Sequence, residues 1–207
     1  IQGWMSWWWD DDKRLMAAKL LQHARLAYLQ TVWNKDSELK RWGFDSSNDA
    51  VQALLTDNSR QINQQMEVMH LLQLEARLTK QLYKLAAKNT GYDGFTREHE
   101  GIDKANGFLN HGNYLAYGLG ATTAWTLGIP HGFAVMHGKT RRGALVFDIA
   151  DIIKDALVLP LAFICASENM SEQEFRQECL NMFTKHKALD YQFEVVKQIA
   201  MTKSWEA

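Results

Sequence analysis

Three acidic residues interrupt a segment that is otherwise apolar. Asp148, Asp151 and Asp155 stand at i, i+3 and i+7 in the run FDIADIIKDALVLP, which places them on one side of a helix. An ionised carboxylate in an apolar stripe costs several kcal/mol unless a cation or hydrogen bonds compensate it. A helix cap at Asp148 or a solvated face at Asp155 would be an ordinary explanation, but the helix is too apolar to lie on the surface. The spacing therefore suggests half of a metal site.

Two other residues could complete this site. His137 lies in a glycine-containing loop before Asp151, and Glu75 stands between Leu71 and Leu78 on the apolar face of an earlier helix. A buried histidine bonded to a carbonyl, or a boundary glutamate paired with a basic residue, is the commoner case. Carboxylates with one imidazole nevertheless form a hard ligand set suited to Mn²⁺ or Mg²⁺ with room for phosphate oxygens. We expect the ligand atoms of Glu75, His137 and Asp151 to converge, and the set predicts phosphoryl transfer.

Basic residues follow the candidate histidine. Lys139, Arg141 and Arg142 are well placed to hold phosphates beside a metal. A second basic stripe on the helix of Glu75 falls roughly opposite that residue, and we expect it to be a solvated face that does not serve the same pocket. It consists of Arg77, Lys80 and Lys84.

A polar stripe marks the helix before the histidine loop. It consists of Asn106, Asn110, Asn113 and Tyr117, at i, i+4, i+7 and i+11. Such side chains need hydrogen-bond partners when they are buried. They could bond the backbone of neighbouring segments, or they could reach a nucleic-acid backbone at the mouth of the site.

The elements that must position these residues are helices. Only two prolines occur in 207 residues, and apolar residues recur with a helical period, so the sequence predicts an all-α fold. In the first helix we expect Leu20 and Ala27 to belong to the apolar face. The first four expected helices span about residues 10–33, 48–56, 59–88 and 103–127, and Ser46 or Ser47 would cap the second. A fifth helix begins at residue 144 and bends at Pro160. A sixth begins at a capping box formed by Ser171 and Glu174 and runs to near the C-terminus. The metal site would lie where the long helix, the glycine-rich loop and the acidic helix meet.

The composition narrows the function classes. A formal net charge of -1 gives no global sign of an anionic partner, so contact with nucleic acid would need a local basic patch. Two cysteines without a paired motif fit a reducing compartment, and we expect a soluble cytoplasmic protein. Residues 144–166 are apolar enough to suggest a membrane span, but the aspartates inside that stretch favour a core helix and no membrane partner.

Four tryptophans crowd the start of the chain. Trp4, Trp7, Trp8 and Trp9 form a large apolar load near one end. Ordinary core packing and contact with another domain are the two explanations, and we expect the indoles to pack against an absent domain or a second subunit.

Three blocks of the sequence resemble the CRISPR adaptation integrases, which insert new spacers into a repeat array. They are LEARLTKQLYKLA, DKANGFLNHGNYLAYG and GIPHGFAVMHGKTRRGALVFDIADIIKDALVLPLAF, in that order. The similarity covers nearly the whole chain and is greatest to the subtype I-F branch. It implies that residues 1–207 form the helical catalytic domain, with residues 1–12 as a linker from an N-terminal β-domain that this chain lacks.

The resemblance also implies roles and partners. Glu75, His137 and Asp151 would be metal ligands for Mg²⁺ or Mn²⁺, Asp148 a further acidic catalytic residue, and Tyr117 a residue near the bound DNA. The 3′-hydroxyl of a short duplex would attack a phosphodiester at the repeat edge. The partners would be double-stranded DNA (prespacer and repeat), a second copy in a homodimer, and a second CRISPR adaptation protein, which in subtype I-F is fused to a helicase-nuclease.

Two other functions compete with this one. The chain could be a helical DNA-binding or scaffolding domain without metal-dependent activity. A di-metal carboxylate oxidoreductase is the weaker alternative, because the Glu-x-x-His pairs of such bundles are missing from the ligand-bearing helices.

Overall fold

The computed structural model describes residues 1–101, 103–138 and 143–202. Within these residues the regular structure is helical throughout, with no strand, which confirms the all-α prediction. The helices are α1 (Gln2–Trp8), α2 (Asp11–Lys35), α3 (Ser37–Arg41), α4 (Asp49–Gln64), α5 (Val68–Thr90), α6 (Lys104–Thr126), α7 (Ala144–Ser167), α8 (Glu172–Lys185) and α9 (Ala188–Met201). None of these helices combines the length and apolarity needed to cross a membrane.

Helix α7 lies at the centre of the fold. It packs against α2, α5, α6, α8 and α9, and nearly all of its side chains are buried. A helix that is apolar on every side belongs in a core. Helix α6 approaches it closely, because a Cβ at Gly120 would lie only 2.7 Å from the carbonyl oxygen of Val146. Glycine permits this approach, and Asn113 of α6 lines the same cavity as Asp151 and Asp155 of α7.

Two predicted helices are each divided in the structure. The expected helix over 59–88 is interrupted at residues 65–67: residues 59–64 belong to α4, and α5 begins only at Val68. Helix α4 is capped by Asn48 instead of Ser46 or Ser47. Residues 65–67 contain neither Pro nor Gly, so no helix breaker marks this division in the sequence.

The C-terminal segment is the second case. The predicted capping box of Ser171 and Glu174 opens α8. Lys187, with a φ of 50°, then separates α8 from α9. A non-glycine residue in the left-handed region is uncommon, which is why the helical pattern did not indicate this turn.

The tryptophan-rich start of the chain forms α1. Trp4 and Trp7 are fully or almost fully buried and Trp8 is 8% exposed, whereas Trp9 is 70% exposed. The expectation that these indoles pack against another domain or subunit is therefore wrong for three of the four. They bury their surface in the core of their own chain.

Candidate metal centre

Three remote segments bring their polar residues together. Glu75 comes from α5, His137 from the loop before α7, and Asp151 from α7. One carboxylate oxygen of each acid and one ring nitrogen of His137 lie within 4.8 Å of one another. The predicted convergence is confirmed.

Asp148 positions His137. One of its carboxylate oxygens accepts hydrogen bonds from the backbone N–H groups of Val135 (2.6 Å) and Met136 (3.1 Å). The other lies 2.7 Å from Nδ1 of His137 and accepts from the N–H of that residue. With Nδ1 held, Nε2 is left facing the cluster, 3.7 Å from Asp151. A carboxylate behind a ligating histidine fixes the orientation of the ring, so Asp148 acts through His137.

Helix α1 holds the same loop from its other side. The indole N–H of Trp4 donates to the carbonyl of Phe133 (3.1 Å), and that of Trp8 donates to the carbonyl of Ala134 (2.7 Å). The rings of Trp8 and Phe133 also pack edge to face, with centroids 4.8 Å apart. The tryptophans therefore help to place the residues that lead to His137.

A lysine neutralises Asp151. Lys154, one turn further along α7, forms an ion pair with Asp151. Its ammonium also lies 5.3 Å from the centroid of the Tyr117 ring. Lys154 is not among the predicted site residues, although its position three residues after Asp151 in an apolar helix is a usable signal.

Arg25 of α2 compensates the other acids. It is 3% exposed, and its guanidinium bonds both Asp155 (Nε to Oδ2, 2.7 Å) and the hydroxyl of Thr79. The same group lies 3.9 Å from Glu75. Asp155 is thus a buried ion-pair partner, and a solvated face is not the explanation for it.

Gln22 completes the support of Glu75. Its amide N–H donates to Glu75 (2.7 Å), and its oxygen accepts from Arg25 (3.1 Å). The expected face of this helix is shifted, because Leu20 and Ala27 are exposed and Gln22 and Arg25 are buried. The signal that identified Glu75, a polar residue on an apolar stripe, could have found both.

The pKa values of Glu75 and Asp151 are shifted in opposite directions. Burial and the charge of Asp151 raise the pKa of Glu75 to about 7, against the opposing effect of Arg25. Burial also opposes ionisation of Asp151, but Lys154 and His137 outweigh it and lower the pKa of that carboxyl. The pKa of His137 is raised: burial acts to lower it, and the bond to Asp148 and the charge of Asp151 prevail.

These properties fit a divalent cation. Two carboxylates and one imidazole are hard donors that suit Mg²⁺ or Mn²⁺. The mutual repulsion of Glu75 and Asp151 would be relieved by a positive ion between them.

The residues expected at bound DNA fall into two groups. Tyr117 lies beside the cluster, with its ring edge to face against Phe147 at a centroid distance of 4.6 Å. The basic loop lies outside the described residues, so the structure says nothing of its three predicted contacts, Lys139, Arg141 and Arg142.

Two further expectations concern the helical stripes. Lys80 lines the same 350 Å³ cavity as Glu75 and Asp151, so the prediction that its stripe cannot serve this pocket is wrong for Lys80. Asn106 and Asn110 form hydrogen bonds with the backbone of the connection between α5 and α6. Of the two expected roles, these two residues therefore have the one of bonding the backbone of a neighbouring segment.

Comparison with known proteins now decides the family. The family model described as CRISPR associated protein Cas1 matches residues 6–191. The chain belongs to the Cas1 family. It is 48% identical over 209 residues to a CRISPR-associated endonuclease Cas1 of Pseudomonas aeruginosa, and 48% identical over 202 residues to one of Pectobacterium atrosepticum. These alignments cover 100% and 97% of this Cas1 chain but only 64% and 62% of the relatives, so the chain spans less than two thirds of their length.

Solved structures share the fold. A Cas1 protein from Thermotoga maritima gives a TM-score of 0.75 at 15% identity, over 100% of this chain and 72% of that one. A TtCas1–DNA complex gives 0.62 at 17% identity, over 88% and 65%. A casposase bound to integration product gives 0.70 at 13% identity, over 99% and 65%. At these identities the similarity shows the fold alone, and it agrees with the assignment to Cas1.

Proposed function

We propose that this chain is the catalytic part of a CRISPR-associated DNA endonuclease and integrase that uses Mg²⁺ or Mn²⁺. The observation that carries the proposal is the convergence of Glu75, His137 and Asp151 within 4.8 Å, in a largely buried cluster where two acids repel each other. The endonuclease name of the Cas1 relatives, and the integration product bound by the casposase, support the same chemistry.

The proposed reaction exchanges one phosphodiester for another. The 3′-hydroxyl of a short duplex attacks a phosphodiester of the CRISPR repeat and forms a new P–O bond. The bond from phosphorus to the 3′-oxygen of the repeat strand breaks, the attacking hydroxyl loses its proton to solvent, and the leaving oxygen takes one up. When bound, the divalent cation would stabilise the negative charge on the attacking and leaving oxygens.

The side chains of the protein supply position and charge. Asp148 keeps the ring of His137 turned toward the cluster. Arg25 and Gln22 hold the carboxylate of Glu75, and Lys154 holds Asp151. Such positioning is what phosphoryl transfer demands of a protein, because little side-chain chemistry is required.

The partners and the location belong to the same proposal. The substrate would be double-stranded DNA, and one structurally similar protein is a DNA complex. A homodimer, and a complex with a second CRISPR adaptation protein in the cytoplasm, would follow from membership of the family.

The proposal is tested by comparing alanine substitutions of two histidines in the same loop, His137 and His131. Mn²⁺ is titrated into purified protein while binding of the ion and strand transfer on a branched DNA substrate are measured. His137→Ala should lose both, by more than about 100-fold, because loss of a mere supporting partner already costs 10–100-fold. His131→Ala changes an exposed histidine of the same loop and should behave as wild type. Wild-type protein that binds DNA but shows no metal-dependent transfer would refute the proposal in favour of a scaffolding domain.

A further inference from the structure

The connection between α5 and α6 carries an arginine that is firmly held. Asn106 accepts a hydrogen bond from the N–H of Glu98 and donates to the carbonyl of Thr96, so it fixes the backbone on both sides of Arg97. Asn110 donates to the carbonyl of His99. The position of Arg97 is therefore set by α6.

The guanidinium itself rests on the same amides. Its Nη1 donates to Asn106 (2.9 Å) and to the carbonyl of Glu98 (2.8 Å), and its Nη2 donates to Asn110 (2.6 Å). These oxygens are neutral, so they orient the group without cancelling its charge. A side chain ordered in this way loses little further freedom when it binds an anion.

Four basic residues line the cavity that contains Glu75 and Asp151: Arg25, Lys80, Arg97 and Lys154. Within the described residues Lys80 and Arg97 form no ion pair, but Lys80 is exposed whereas Arg97 is half-buried. Arg25 is paired with Asp155, and Lys154 is paired with Asp151. Among the described residues, no carboxylate lies within 4.0 Å of the guanidinium of Arg97. Within the described part of the chain, Arg97 is thus a half-buried cation without a counter-ion, which favours the binding of an anion.

The location of Arg97 indicates which kind of anion it would bind. Arg97 lines the 350 Å³ cavity that contains Glu75 and Asp151. It also lines the neighbouring cavity of 280 Å³, together with Tyr114 and Tyr117. The guanidinium therefore stands between the candidate metal centre and an aromatic-lined recess, where a chain of phosphates that reaches the metal would pass.

We propose that Arg97 binds a backbone phosphate of the DNA strand, next to the phosphodiester that reacts. This inference rests on the proposed function, because it assumes that the anion is DNA. Arg97 would be a second, metal-independent anchor of the strand, whereas Arg25 serves the acids of the centre.

The test measures DNA binding in EDTA, so it does not depend on metal chemistry. Affinity for a short duplex with a single-stranded end is measured over a range of salt concentrations for wild type and Arg97→Gln. Loss of one phosphate contact should reduce the slope of log affinity against log salt by about 1, uniformly across sequences. The affinity at low salt should fall roughly tenfold, as expected for a charge-assisted hydrogen bond.

Arg77→Gln is the matched control. Arg77 is an exposed arginine of α5 whose one hydrogen bond within the described residues is a long 3.3 Å contact to Gln61, so its loss should leave the slope and the unfolding midpoint unchanged. An unchanged slope for folded Arg97→Gln would overturn the inference.

A second variant covers the case in which Arg97→Gln does not fold. Arg97→Lys keeps the charge but loses the planar fork, so the slope should remain and the affinity should fall about threefold or more. Folded Arg97→Lys with wild-type affinity would then overturn the inference. If metal-dependent transfer fails while these binding results hold, the proposed function is wrong and the phosphate contact stands.

Discussion

Asp36 and Glu75 are two largely buried carboxylates whose pKa values folding shifts in opposite directions. Asp36, whose side chain is fully buried, accepts hydrogen bonds from the N–H groups of Glu38 and Leu39, forms an ion pair with Lys185, and lies 2.7 Å from Nε2 of His186. Burial alone would raise its pKa, but the Leu39 amide and the two basic partners lower it to about 2. This carboxylate is fully satisfied, and its place at the start of α3 explains why.

The candidate metal centre is not satisfied in this way. Glu75 shares its site with Asp151, and burial together with that like charge raises its pKa to about 7. The comparison teaches that a buried acid is not by itself a sign of function. Two acids held together without enough positive charge are a better sign, because a folded protein gains nothing from that crowding unless a cation is bound.

The largest expected effect is loss of activity on removing a ligand. Asp151→Ala should lower metal-dependent strand transfer by more than about 100-fold. The free energy of unfolding should fall by less than the roughly 3–5 kcal/mol that breaking a buried pair costs, because losing the pair with Lys154 is offset by losing the repulsion of Glu75, which Lys154 can still compensate. Chemical denaturation and a transfer assay measure the two effects. Asp190→Ala, at an exposed site in α9, is the control, and integration at the wild-type level by Asp151→Ala would contradict the assignment.

Asp36→Ala should show the reverse pattern. It removes a helix cap and the anion shared by Lys185 and His186, so the free energy of unfolding should fall by about 2–3 kcal/mol. Activity per folded molecule should not change. Because the pKa of Asp36 falls from 3.8 to about 2 on folding, its stabilisation is present above about pH 4 and is lost as the pH falls through 2. A large loss of activity in folded protein would erase the distinction between the clusters.

Asp148→Asn should affect the metal centre indirectly. An amide cannot accept all the hydrogen bonds that the carboxylate accepts from residues 135–137, so the ring of His137 loses its fixed orientation. Metal affinity should fall about 10–100-fold, which calorimetric titration with Mn²⁺ would measure. Affinity unchanged from wild type would show that the positioning bond is dispensable.

The smallest expected effect is a pH dependence of metal binding. The pKa of Glu75 rises from 4.5 to about 7 on folding, so the metal-free folded state binds more protons than the unfolded state between these values. Its stability should therefore fall as the pH rises from about 4.5 to 7. Protons also compete with the metal, so Mn²⁺ affinity should rise about fivefold from pH 6 to pH 7, about twofold more by pH 8, and then level off. Glu75→Gln should bind more weakly, with a flatter dependence over this range.

The sequence by itself determined the helical class and the ligand candidates. Scarcity of proline and helical spacing predicted the fold, and the capping box placed the start of α8. Glu75 and Asp151 could be recognised because a charged residue in an apolar stripe is costly wherever that stripe packs. Only local spacing along the chain is needed to recognise such residues.

Only the tertiary structure decided which side chains contact the acidic residues and the histidine loop. Arg25 and Gln22 of α2 meet Glu75 and Asp155 across the core, and no spacing in the sequence relates α2 to these acids. The tryptophans of α1 likewise support a loop more than a hundred residues away, where local reasoning had assigned them to another domain. Compensation of a buried charge depends on distances of a few ångströms between remote segments, and only the packing of the helices sets those distances.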